Sequence, residues 1–572
     1  MILWNIFYNE SLKEKSDVYE SNHNFSTNLY FKEVSQDLKV RYEHRYFSND
    51  ESSRDNHILT RGDALGGVMP SVAISDFNGD GFVDIFVTSP HPDQEMGIFL
   101  NQKGESFKRI DHQDFFETET TLKSVSSVLF VDVDGDGHED LYLSTWGCHR
   151  FFLNRSGKFR EAPEYLADVK CHGTNAINFA DFNNDGFQDI VLGNYAKDAI
   201  FKHAKDNHGF GDKKHGDLNV ILWNEKGKKF KAMDISSSKA YTMAIGVSDI
   251  NKDGYADILF TNDYSTDEFY INNKDKSFID KTEKLIPRRF HGYAGMSADF
   301  ADINGDEKLD LYISNIFKKP FYHMRNLLWI NKGDSFENKT RDYSVGQCGW
   351  SWASKFVDFN LDGIYEIVVV NGRFRGSRSQ RRGSSYWYKR ISERSLPIFL
   401  RKFARKMERG VDLSGYEFSG YERSCLFQKN GEKYYDMAVL SGLVEDWPSR
   451  GMSILDYNND GKKDVLITNF GGPVHLFENQ SKIEARWYGV DLRLNNGGVA
   501  VGAKILAKFS GGKKQYIELY PANGFNGQSD SRLVLAHGKE KLDSIEVIWP
   551  SGKKVRESSL KEGAYTKVRE TL

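Results

Sequence analysis

Short apolar segments alternate along this chain with acidic, glycine-containing loops, and the alternation is periodic. The loop 76–84 (Asp-Phe-Asn-Gly-Asp-Gly-Phe-Val-Asp) is followed by the apolar run 85–87, and related loops occur six more times. A third run ending in Asn, such as 99–101, and a fourth beginning with an aromatic residue, such as Phe107, complete the repeat. We therefore predict four strands per repeat, with the acidic loop between the first two. The seven loops begin at Asp76, Asp132, Asp181, Asp249, Asp302, Asp358 and Asp456.

Four short strands in about 50 residues are typical of one β-propeller blade. The repeats therefore predict an all-β fold class: a seven-bladed β-propeller with a calcium loop in each blade, plus a small C-terminal β-sandwich-like domain. In that C-terminal region apolar and polar residues alternate, as in 544–549, which indicates strands. Frequent glycine and an aromatic content of 14% also favour strands and turns.

The seventh repeat lacks a fourth-strand signature after residues 474–479, but a matching one stands near the N-terminus at 30–35. We expect residues near 29–36 to supply the outer strand of blade seven, which leaves no open sheet edge. The predicted domains are an N-terminal extension (1–28), the propeller (29–482) and the C-terminal β-domain (483–572).

Two intervals between loops are longer than the rest and contain insertions. One insertion lies near 196–218, and the other, near 373–420, is strongly basic. Within the basic insert, apolar residues at helical spacing over 391–409 predict an amphipathic helix. Two interpretations stay open. The insert is either a helix packed on the propeller rim with a solvated basic face, or it serves as a lid, as a contact for an anionic ligand or as a contact for a membrane surface.

The pattern D-x-[DN]-x-D-G-x-x-[DE] predicts sites for a hard cation. Side-chain oxygens at positions 1, 3, 5 and 9 and the carbonyl at position 7 suit calcium, and glycine at position 6 allows the sharp turn. An EF-hand would need Glu at position 12, where the first loop has Val87, and helical flanks. Loop 5 has Glu307 at position 6, so we expect strain or weaker binding there. The predicted ligands of up to seven structural calcium ions are Asp76, Asn78, Asp80, Phe82, Asp84; Asp132, Asp134, Asp136, His138, Asp140; Asp181, Asn183, Asp185, Phe187, Asp189; Asp249, Asn251, Asp253, Tyr255, Asp257; Asp302, Asn304, Asp306, Lys308, Asp310; Asp358, Asn360, Asp362, Ile364, Glu366; and Asp456, Asn458, Asp460, Lys462, Asp464.

The predicted compartment follows from the calcium loops. Sites of this type suit the millimolar calcium found outside the cytosol, so we predict a secreted, periplasmic or cell-surface protein. No apolar run reaches the roughly 18 residues of a membrane-spanning helix, and the apolar segment 1–8 lacks the features of a signal peptide. The four cysteines allow a Cys148–Cys171 bridge but favour buried free thiols. A net charge of −4 argues against a nucleic-acid partner.

The loops resemble the FG-GAP/VCBS repeats of integrin-like propellers. The chain is more closely similar to the cartilage acidic protein-like family, whose members end in an ASPIC/UnbV domain. This resemblance implies structural calcium and secretion, and it provides no activity for the C-terminal domain. The long basic insert and Glu307 depart from the family pattern. The segments that carry the resemblance are 349–352 (Gly-Trp-Ser-Trp), 370–372, 450–452, 468–473, 502–504, 524–530 (Gly-Phe-Asn-Gly-Gln-Ser-Asp), 537–538 and 549–552 (Trp-Pro-Ser-Gly).

Function is expected on the face opposite the calcium loops, called the top face, where strand one begins and strand two ends. An aromatic mouth is the usual ligand site of such folds. Three functions stay open: a module that binds a protein, glycan or small molecule; a calcium-dependent enzyme performing cyclisation, alkylation or acid–base chemistry on a hydrophobic metabolite; and a structural surface component. The candidate catalytic residues are His149, Asp263, His291, Tyr293, Trp350 and Arg373.

Overall fold

The computed structural model describes residues 26–45 and 69–571, with gaps inside the second range. The predicted amphipathic helix, most of both insertions and His291 lie outside the described residues. The gaps are at 92, 119, 121, 123, 146–147, 197–215, 237–238, 264, 288–292, 319–321, 374–418 and 420–421.

The described residues form an all-β protein, which confirms the predicted fold class. Antiparallel sheets, numbered here 1 to 7, succeed one another along the chain after the short N-terminal strand β1 (Phe31–Glu33). Sheet 1 contains β2 (Val72–Ser75), β3 (Asp84–Val87), β4 (Gly97–Asn101) and β5 (Phe107–Arg109). Sheet 2 contains β6 (Val125–Val131), β7 (Asp140–Thr145), β8 (Arg150–Arg155) and β9 (Lys158–Glu161). Sheet 3 contains β10 (Gly173–Ala180), β11 (Asp189–Ala196), β12 (Val220–Asn224) and β13 (Phe230–Asp234).

The next sheets repeat this up-and-down order. Sheet 4 contains β14 (Thr242–Ser248), β15 (Asp257–Asn262), β16 (Glu268–Asn272) and β17 (Phe278–Asp280). Sheet 5 contains β18 (Ser297–Ala301), β19 (Asp310–Ser314), β22 (Leu327–Asn331) and β23 (Phe336–Asn338), with the small hairpin β20 (Phe317–Lys318) and β21 (Tyr322–His323) between its second and third strands. Sheet 6 contains β24 (Ser351–Val357), β25 (Glu366–Asn371), β26 (Cys425–Asn430) and β27 (Lys433–Asp436).

Sheet 7 joins the two ends of this region. It contains β28 (Ser449–Leu455), β29 (Asp464–Asn469) and β30 (His475–Asn479), and its outer strand is β1. In that pairing Phe31 lies opposite Asn479, and Glu33 lies opposite Phe477. The first strands β2, β6, β10, β14, β18, β24 and β28 contact one another in that order, and β28 contacts β2 again. The sheets therefore close into a ring, with their first strands around its axis.

Short helices follow the outer strands and lead to the next sheet. Packing of adjacent sheets, and not helix propensity, holds elements this short. No helix in the described part of the chain has the length and apolarity needed to cross a membrane. The helices are α1 (His112–Phe115), η1 (Pro163–Leu166), α2 (Thr282–Leu285) and α3 (Ala438–Ser441).

The C-terminal region forms two further sheets and one short strand that joins sheet 1. Its hydrophobic core is continuous with that of sheets 2 and 3, since Val490 and Ile505 belong to the same buried cluster as Leu129 and Leu192. One sheet has the order β35-β31-β38 and the other β33-β32-β36-β37. The elements are β31 (Trp487–Arg493), β32 (Lys504–Phe509), η2 (Ser510–Gly512), β33 (Lys514–Glu518), β34 (Gly527–Gln528), β35 (Leu533–Ala536), β36 (Leu542–Ile548), β37 (Lys554–Glu557) and β38 (Tyr565–Arg569).

All four cysteines are in disulfides, so the expectation of buried free thiols was wrong. One bridge joins Cys148 to Cys171, and the other joins Cys348 to Cys425. The second bridge spans 77 residues of sequence, and it was missed because the pairing depends on how sheet 6 folds. Cys425 begins the third strand of that sheet, while Cys348 precedes its first strand.

Candidate functional site: acidic loops and a top-face cluster

The seven acidic loops share one backbone conformation. Position 6 has a positive φ in each loop, including Glu307, whose φ of 62° shows that a non-glycine residue is held in the left-handed region there. Position 4 is also left-handed in every loop, although only three loops have glycine at that position. The others have Asn184, Lys252, Leu361 and Asn459 there. The sequence pattern did not reveal this second constraint.

Hydrogen bonds within each loop turn the side-chain oxygens towards its interior. In loop 1, Asp76 accepts the N–H groups of Asp80 (2.9 Å) and Gly81 (2.8 Å), one on each carboxylate oxygen. Asn78 Oδ1 accepts the Asp80 N–H at 3.0 Å, and Asp80 Oδ1 accepts the Phe82 N–H at 2.9 Å. The same bonds from positions 5 and 6 to the first Asp recur in loops 3, 4 and 7. Positions 1, 3 and 5 therefore converge.

Position 9 is the first residue of the second strand and is a buried acid. In loop 2, Asp140 Oδ1 accepts the Asn154 N–H at 2.9 Å, and Oδ2 accepts the Val133 N–H at 3.0 Å. Burial raises the pKa of Asp140 to about 8, although these backbone donors oppose the shift, and the nearby Asp134 and Asp132 raise it further. A cation bound nearby would stabilise the charged form of this buried carboxyl group.

The donor set fits a hard divalent cation. In loop 2, one carboxylate oxygen each from Asp132, Asp134 and Asp136 lies within 4.8 Å of the others. The other loops offer Asn in place of the second Asp, so their side-chain donors are also oxygens. Calcium prefers such carboxylate and amide oxygens, whereas softer metals prefer nitrogen and sulfur. In loop 2, three of the predicted ligands thus lie together, and calcium occupancy of the loops stays a prediction.

The third strands contribute an asparagine whose role the sequence did not reveal. Asn224 Nδ2 donates to the Gln188 carbonyl of its own sheet (3.0 Å) and to the Val133 carbonyl in loop 2 of the preceding sheet (2.9 Å). Its Oδ1 accepts the Gly227 N–H at 2.7 Å. Each such residue therefore ties one acidic loop to the next around the ring. In the described residues the equivalent positions are Asn101, Asn154, Asn224, Asn272, Asn331 and Asn479.

A segment of the C-terminal domain, residues 521–530, occupies the axis of the ring; we call it the central segment. Asn523 bonds to both the N–H (2.8 Å) and the carbonyl (2.9 Å) of Val247 in β14, and Gln528 makes the same pair of bonds to Phe130 in β6. Residues 527–528 pair in parallel with β2. A Cβ at Gly527 would lie 1.9 Å from the Met452 carbonyl, so only glycine fits this close approach to β28.

The top face carries a compact cluster of three candidate residues from the sequence and two neighbouring tyrosines. Asp263 follows β15, Tyr195 is the last residue but one of β11, and Arg373 lies two residues after the end of β25. The Tyr195 and Tyr241 rings lie 5.2 Å apart, and the Arg373 guanidinium lies 4.4 Å from the centre of the Trp350 ring. The acid, the cation and the aromatic rings therefore meet above the axis of the ring. We call Tyr195, Tyr241, Asp263, Trp350 and Arg373 the top-face cluster.

Asp263 is the electrostatic centre of the top-face cluster. Burial raises its pKa to about 7, although Arg373 and a hydrogen bond with the Tyr195 hydroxyl lower it. Burial also raises the pKa of Tyr195 far above its usual range. Asp263 Oδ1 is buried and has no hydrogen-bond partner among the described residues. An acceptor left in this state costs free energy until a donor reaches it.

Arg450 supports the cluster from below and was not among the predicted site residues. It is 1% exposed, and its guanidinium lies 4.2 Å from the centre of the Trp352 ring. It donates to the carbonyls of Gly372 (2.8 Å) and Arg373 (2.6 Å), so it fixes the backbone that presents the Arg373 side chain. The segment 450–452 had been noted only for its family resemblance.

The remaining candidates lie elsewhere. His149 is buried beside Tyr142, with ring centres 5.6 Å apart, and burial lowers its pKa to about 3. Tyr293 packs, partly buried, against the core shared by sheets 4 and 5. The structure therefore brings Asp263, Trp350 and Arg373 together, places His149 and Tyr293 outside the top-face cluster, and does not describe His291.

Comparisons with known proteins agree with the repeat pattern. An FG-GAP-like repeat model matches residues 76–143, 132–192 and 249–313, and an ASPIC and UnbV model matches 495–571. Cartilage acidic protein 1 of Xenopus tropicalis is 21% identical over 529 residues, covering 87% of this chain and 72% of that protein. The Homo sapiens protein of that name is 22% identical, covering 85% and 69%.

Solved structures with a similar arrangement of strands include two lectins. A lectin of Agrocybe aegerita that recognises non-reducing terminal N-acetylglucosamine has a TM-score of 0.39 and 14% identity, covering 72% of this chain and 94% of its own. The BP39L lectin of Burkholderia pseudomallei has a TM-score of 0.42 and 9% identity, covering 72% and 97%.

Proposed function

We propose that this chain, which carries FG-GAP-like repeats and a C-terminal ASPIC and UnbV domain, is an extracytoplasmic seven-bladed propeller. In this proposal its acidic loops hold structural calcium, and its top-face cluster binds a ligand. The observation that carries the ligand-binding role is the buried Oδ1 of Asp263, which has no hydrogen-bond partner in the described part of the chain and lies among aromatic rings near Arg373.

Calcium would act as part of the scaffold. Each loop brings three or four oxygen ligands together, and the third-strand asparagines join neighbouring loops around the ring. A bound cation would remove the repulsion between the carboxylates and hold the loop in the conformation that the asparagine needs. Calcium would therefore stabilise each sheet and also the contacts between sheets.

An extracytoplasmic location is supported by two independent features. Both pairs of cysteines form disulfides, which persist in oxidising compartments. Calcium loops of this type suit the millimolar calcium found outside the cytosol. The similarity to cartilage acidic protein 1 agrees with this location.

The chemistry of the top-face cluster favours a polar ligand with at least one flat or apolar face. Asp263 Oδ1 would accept a hydrogen bond from a hydroxyl or amine, Arg373 would donate, and the aromatic rings would cover the ligand's face. Sugars and hydroxylated small molecules have this combination. A glycan or small molecule therefore fits the described cluster better than an extended protein surface.

A calcium-dependent enzyme is the second candidate, and the pKa of Asp263 favours it. A carboxyl group with a pKa of about 7 can accept or donate a proton at neutral pH. The neighbouring tyrosine and tryptophan rings could stabilise a developing cation during cyclisation or alkylation of a hydrophobic metabolite. Turnover of a metabolite that Asp263→Asn abolishes, with ligand affinity retained, would favour this candidate over simple binding.

The test is ligand binding by the full chain in 2 mM calcium (about the level at which such sites fill), against a panel of glycans and hydroxylated small molecules. We expect a hit whose affinity falls at least about tenfold in Asp263→Asn, because a buried acceptor is replaced. Asp334→Asn, which changes an acid whose side chain is 99% exposed, is the matched control and should bind normally. If Asp263→Asn and the wild type bind the ligand with equal affinity, the top-face cluster is not the binding site.

A further inference from the structure

Three side chains of the C-terminal domain reach the first aspartate of three acidic loops. Asn496 Nδ2 donates to Asp132 Oδ2 in loop 2 at 3.3 Å, and Tyr565 Oη donates to Asp456 Oδ2 in loop 7 at 2.7 Å. In loop 4, the Lys504 ammonium pairs with Asp249 Oδ2. The three contacts come from separate parts of the domain and end on the same atom of the same loop position.

That atom already has a defined role within each loop. Oδ2 of the first aspartate accepts the N–H of the glycine at position 6, at 3.0 Å in loop 2 and 2.8 Å in loops 4 and 7. The added donor from the C-terminal domain occupies a second lone pair of the same oxygen. The plane of the carboxylate is then fixed from two sides. Oδ1 accepts a backbone N–H of its own loop, from Gly135 in loop 2, Asp253 in loop 4 and Asp460 in loop 7.

We infer that Asn496, Lys504 and Tyr565 are positioning residues for calcium in loops 2, 4 and 7, so that calcium binding and docking of the C-terminal domain stabilise each other. This inference rests on the proposed function, because it presumes that the loops hold calcium. Partners that orient metal ligands typically contribute about 10- to 100-fold to metal affinity. Coupling between two binding events is reciprocal, so a loop that binds more tightly when the domain is docked also holds the domain more tightly when filled.

The charge of Lys504 is balanced where it meets loop 4. Glu518 Oε2 accepts the Asp249 N–H and the Ser248 hydroxyl, both at 3.1 Å. Burial raises the pKa of Glu518, and the Lys504 ammonium opposes that shift. The Lys504 ammonium is therefore paired with Asp249 and interacts electrostatically with Glu518, and both carboxyl groups offset its positive charge. Asn496 and Tyr565 are neutral donors, so their effect on the loops is one of orientation alone.

Loops 1 and 3 provide internal comparators. The described hydrogen bonds of Asp76 Oδ2 and Asp181 Oδ2 come from glycines of their own loops, Gly81 and Gly186. Substitutions of Asn496, Lys504 and Tyr565 should therefore change calcium binding in loops 2, 4 and 7 more than in loops 1 and 3. Loop 1 meets the C-terminal domain at a different atom, since Arg532 donates to the Gly81 carbonyl at 3.3 Å.

The test uses the full chain, stripped of calcium and titrated by calorimetry. Tyr565→Phe keeps the ring contacts with Trp487 and Arg532 and removes only the hydroxyl that reaches loop 7. We expect one class of site to bind about tenfold more weakly. The melting temperature in saturating calcium should fall slightly, because the weaker site then stabilises the folded chain less. Tyr488→Phe is the matched control, since its hydroxyl contacts Glu562 within the domain at 3.4 Å. Asn496→Ala, with the exposed Asn495→Ala as control, repeats the test on loop 2.

Hydrogen exchange provides the second readout. Chelating calcium from the wild type should speed exchange in residues 487–571, and in the central segment most of all. If Tyr565→Phe and Asn496→Ala match their controls in calcium affinity, and chelation leaves exchange in 487–571 unchanged, the inference is overturned while the proposed function stands. If the wild type binds no calcium, both are overturned. If the Tyr565→Phe variant does not fold, the calcium affinity of Asn496→Ala and the hydrogen exchange of the wild type still test the inference.

Discussion

Phe525 of the C-terminal domain lies against Trp352 of β24, with ring centres 5.4 Å apart, although 173 residues of sequence separate them. Phe525 is completely buried and belongs to the same hydrophobic cluster as Met243, Trp350 and Tyr195. The C-terminal domain therefore fills the axis of the ring from the side of the acidic loops and forms the floor beneath the top-face cluster.

The floor should be important for stability. Phe525→Ala removes a fully buried ring and should lower the free energy of unfolding by about 3–5 kcal/mol, the usual cost of such a cavity. Ile279→Ala, at a side chain that is 41% exposed, should have a much smaller effect. Denaturant titration measures both, and similar midpoints for the two variants would show that the central segment does not pack as described.

Asp263 should make stability depend on pH. Its folded pKa of about 7 exceeds the ordinary value of 3.8, so the folded protein binds more protons than the unfolded chain between those values. Stability from this group is therefore present at low pH and is lost as the pH rises towards and through 7. Asp263→Asn should gain melting temperature relative to wild type at pH 8 and gain little at pH 4. A difference that stays constant between pH 4 and pH 8, as expected for Asp334→Asn, would refute this assignment.

The third-strand asparagines should stabilise contacts between sheets. Asn224→Ala would leave two carbonyls, of Val133 and Gln188, and the Gly227 N–H without their partner. Because an unpaired buried polar group costs about 1–3 kcal/mol, the melting temperature should fall by several degrees. The exposed Asn273→Ala should melt like the wild type. Thermal denaturation of both variants in the presence of calcium tests this prediction, and equal melting temperatures would contradict it.

The N-terminal strand should be needed to close the ring. Phe31 is 2% exposed and packs edge-on against Phe359, with ring centres 5.0 Å apart. Phe31→Ala should cost about 3–5 kcal/mol, whereas Tyr30→Ala, at a ring that is 53% exposed, should cost little. Deleting residues 1–40 removes β1 altogether, exposes the edge of β30 and should lower the melting temperature sharply. A deletion variant that melts like the wild type would contradict this role.

The features that repeat along the chain could be predicted from the sequence. The same local pattern occurs in every repeat, so each copy supports the interpretation of the others. The positions of Asp76 and its equivalents, and the strands after each loop, follow from such repetition. Contacts that occur once were not predictable: the Cys348–Cys425 bridge, the bonds of Asn523 to Val247, and the place of Arg450 beneath Arg373 all depend on distant segments meeting. The third-strand asparagine was visible as a repeat, but its bond to the neighbouring sheet became clear only in three dimensions.

The most direct test of this account is the calcium content of the purified full chain, measured by elemental mass spectrometry after dialysis against about 1 mM calcium, a level typical outside the cytosol. The seven acidic loops predict close to seven calcium ions per chain, with a melting temperature that falls sharply when the ions are chelated. A calcium content below one per chain, with the same melting temperature in calcium and in chelator, would contradict it.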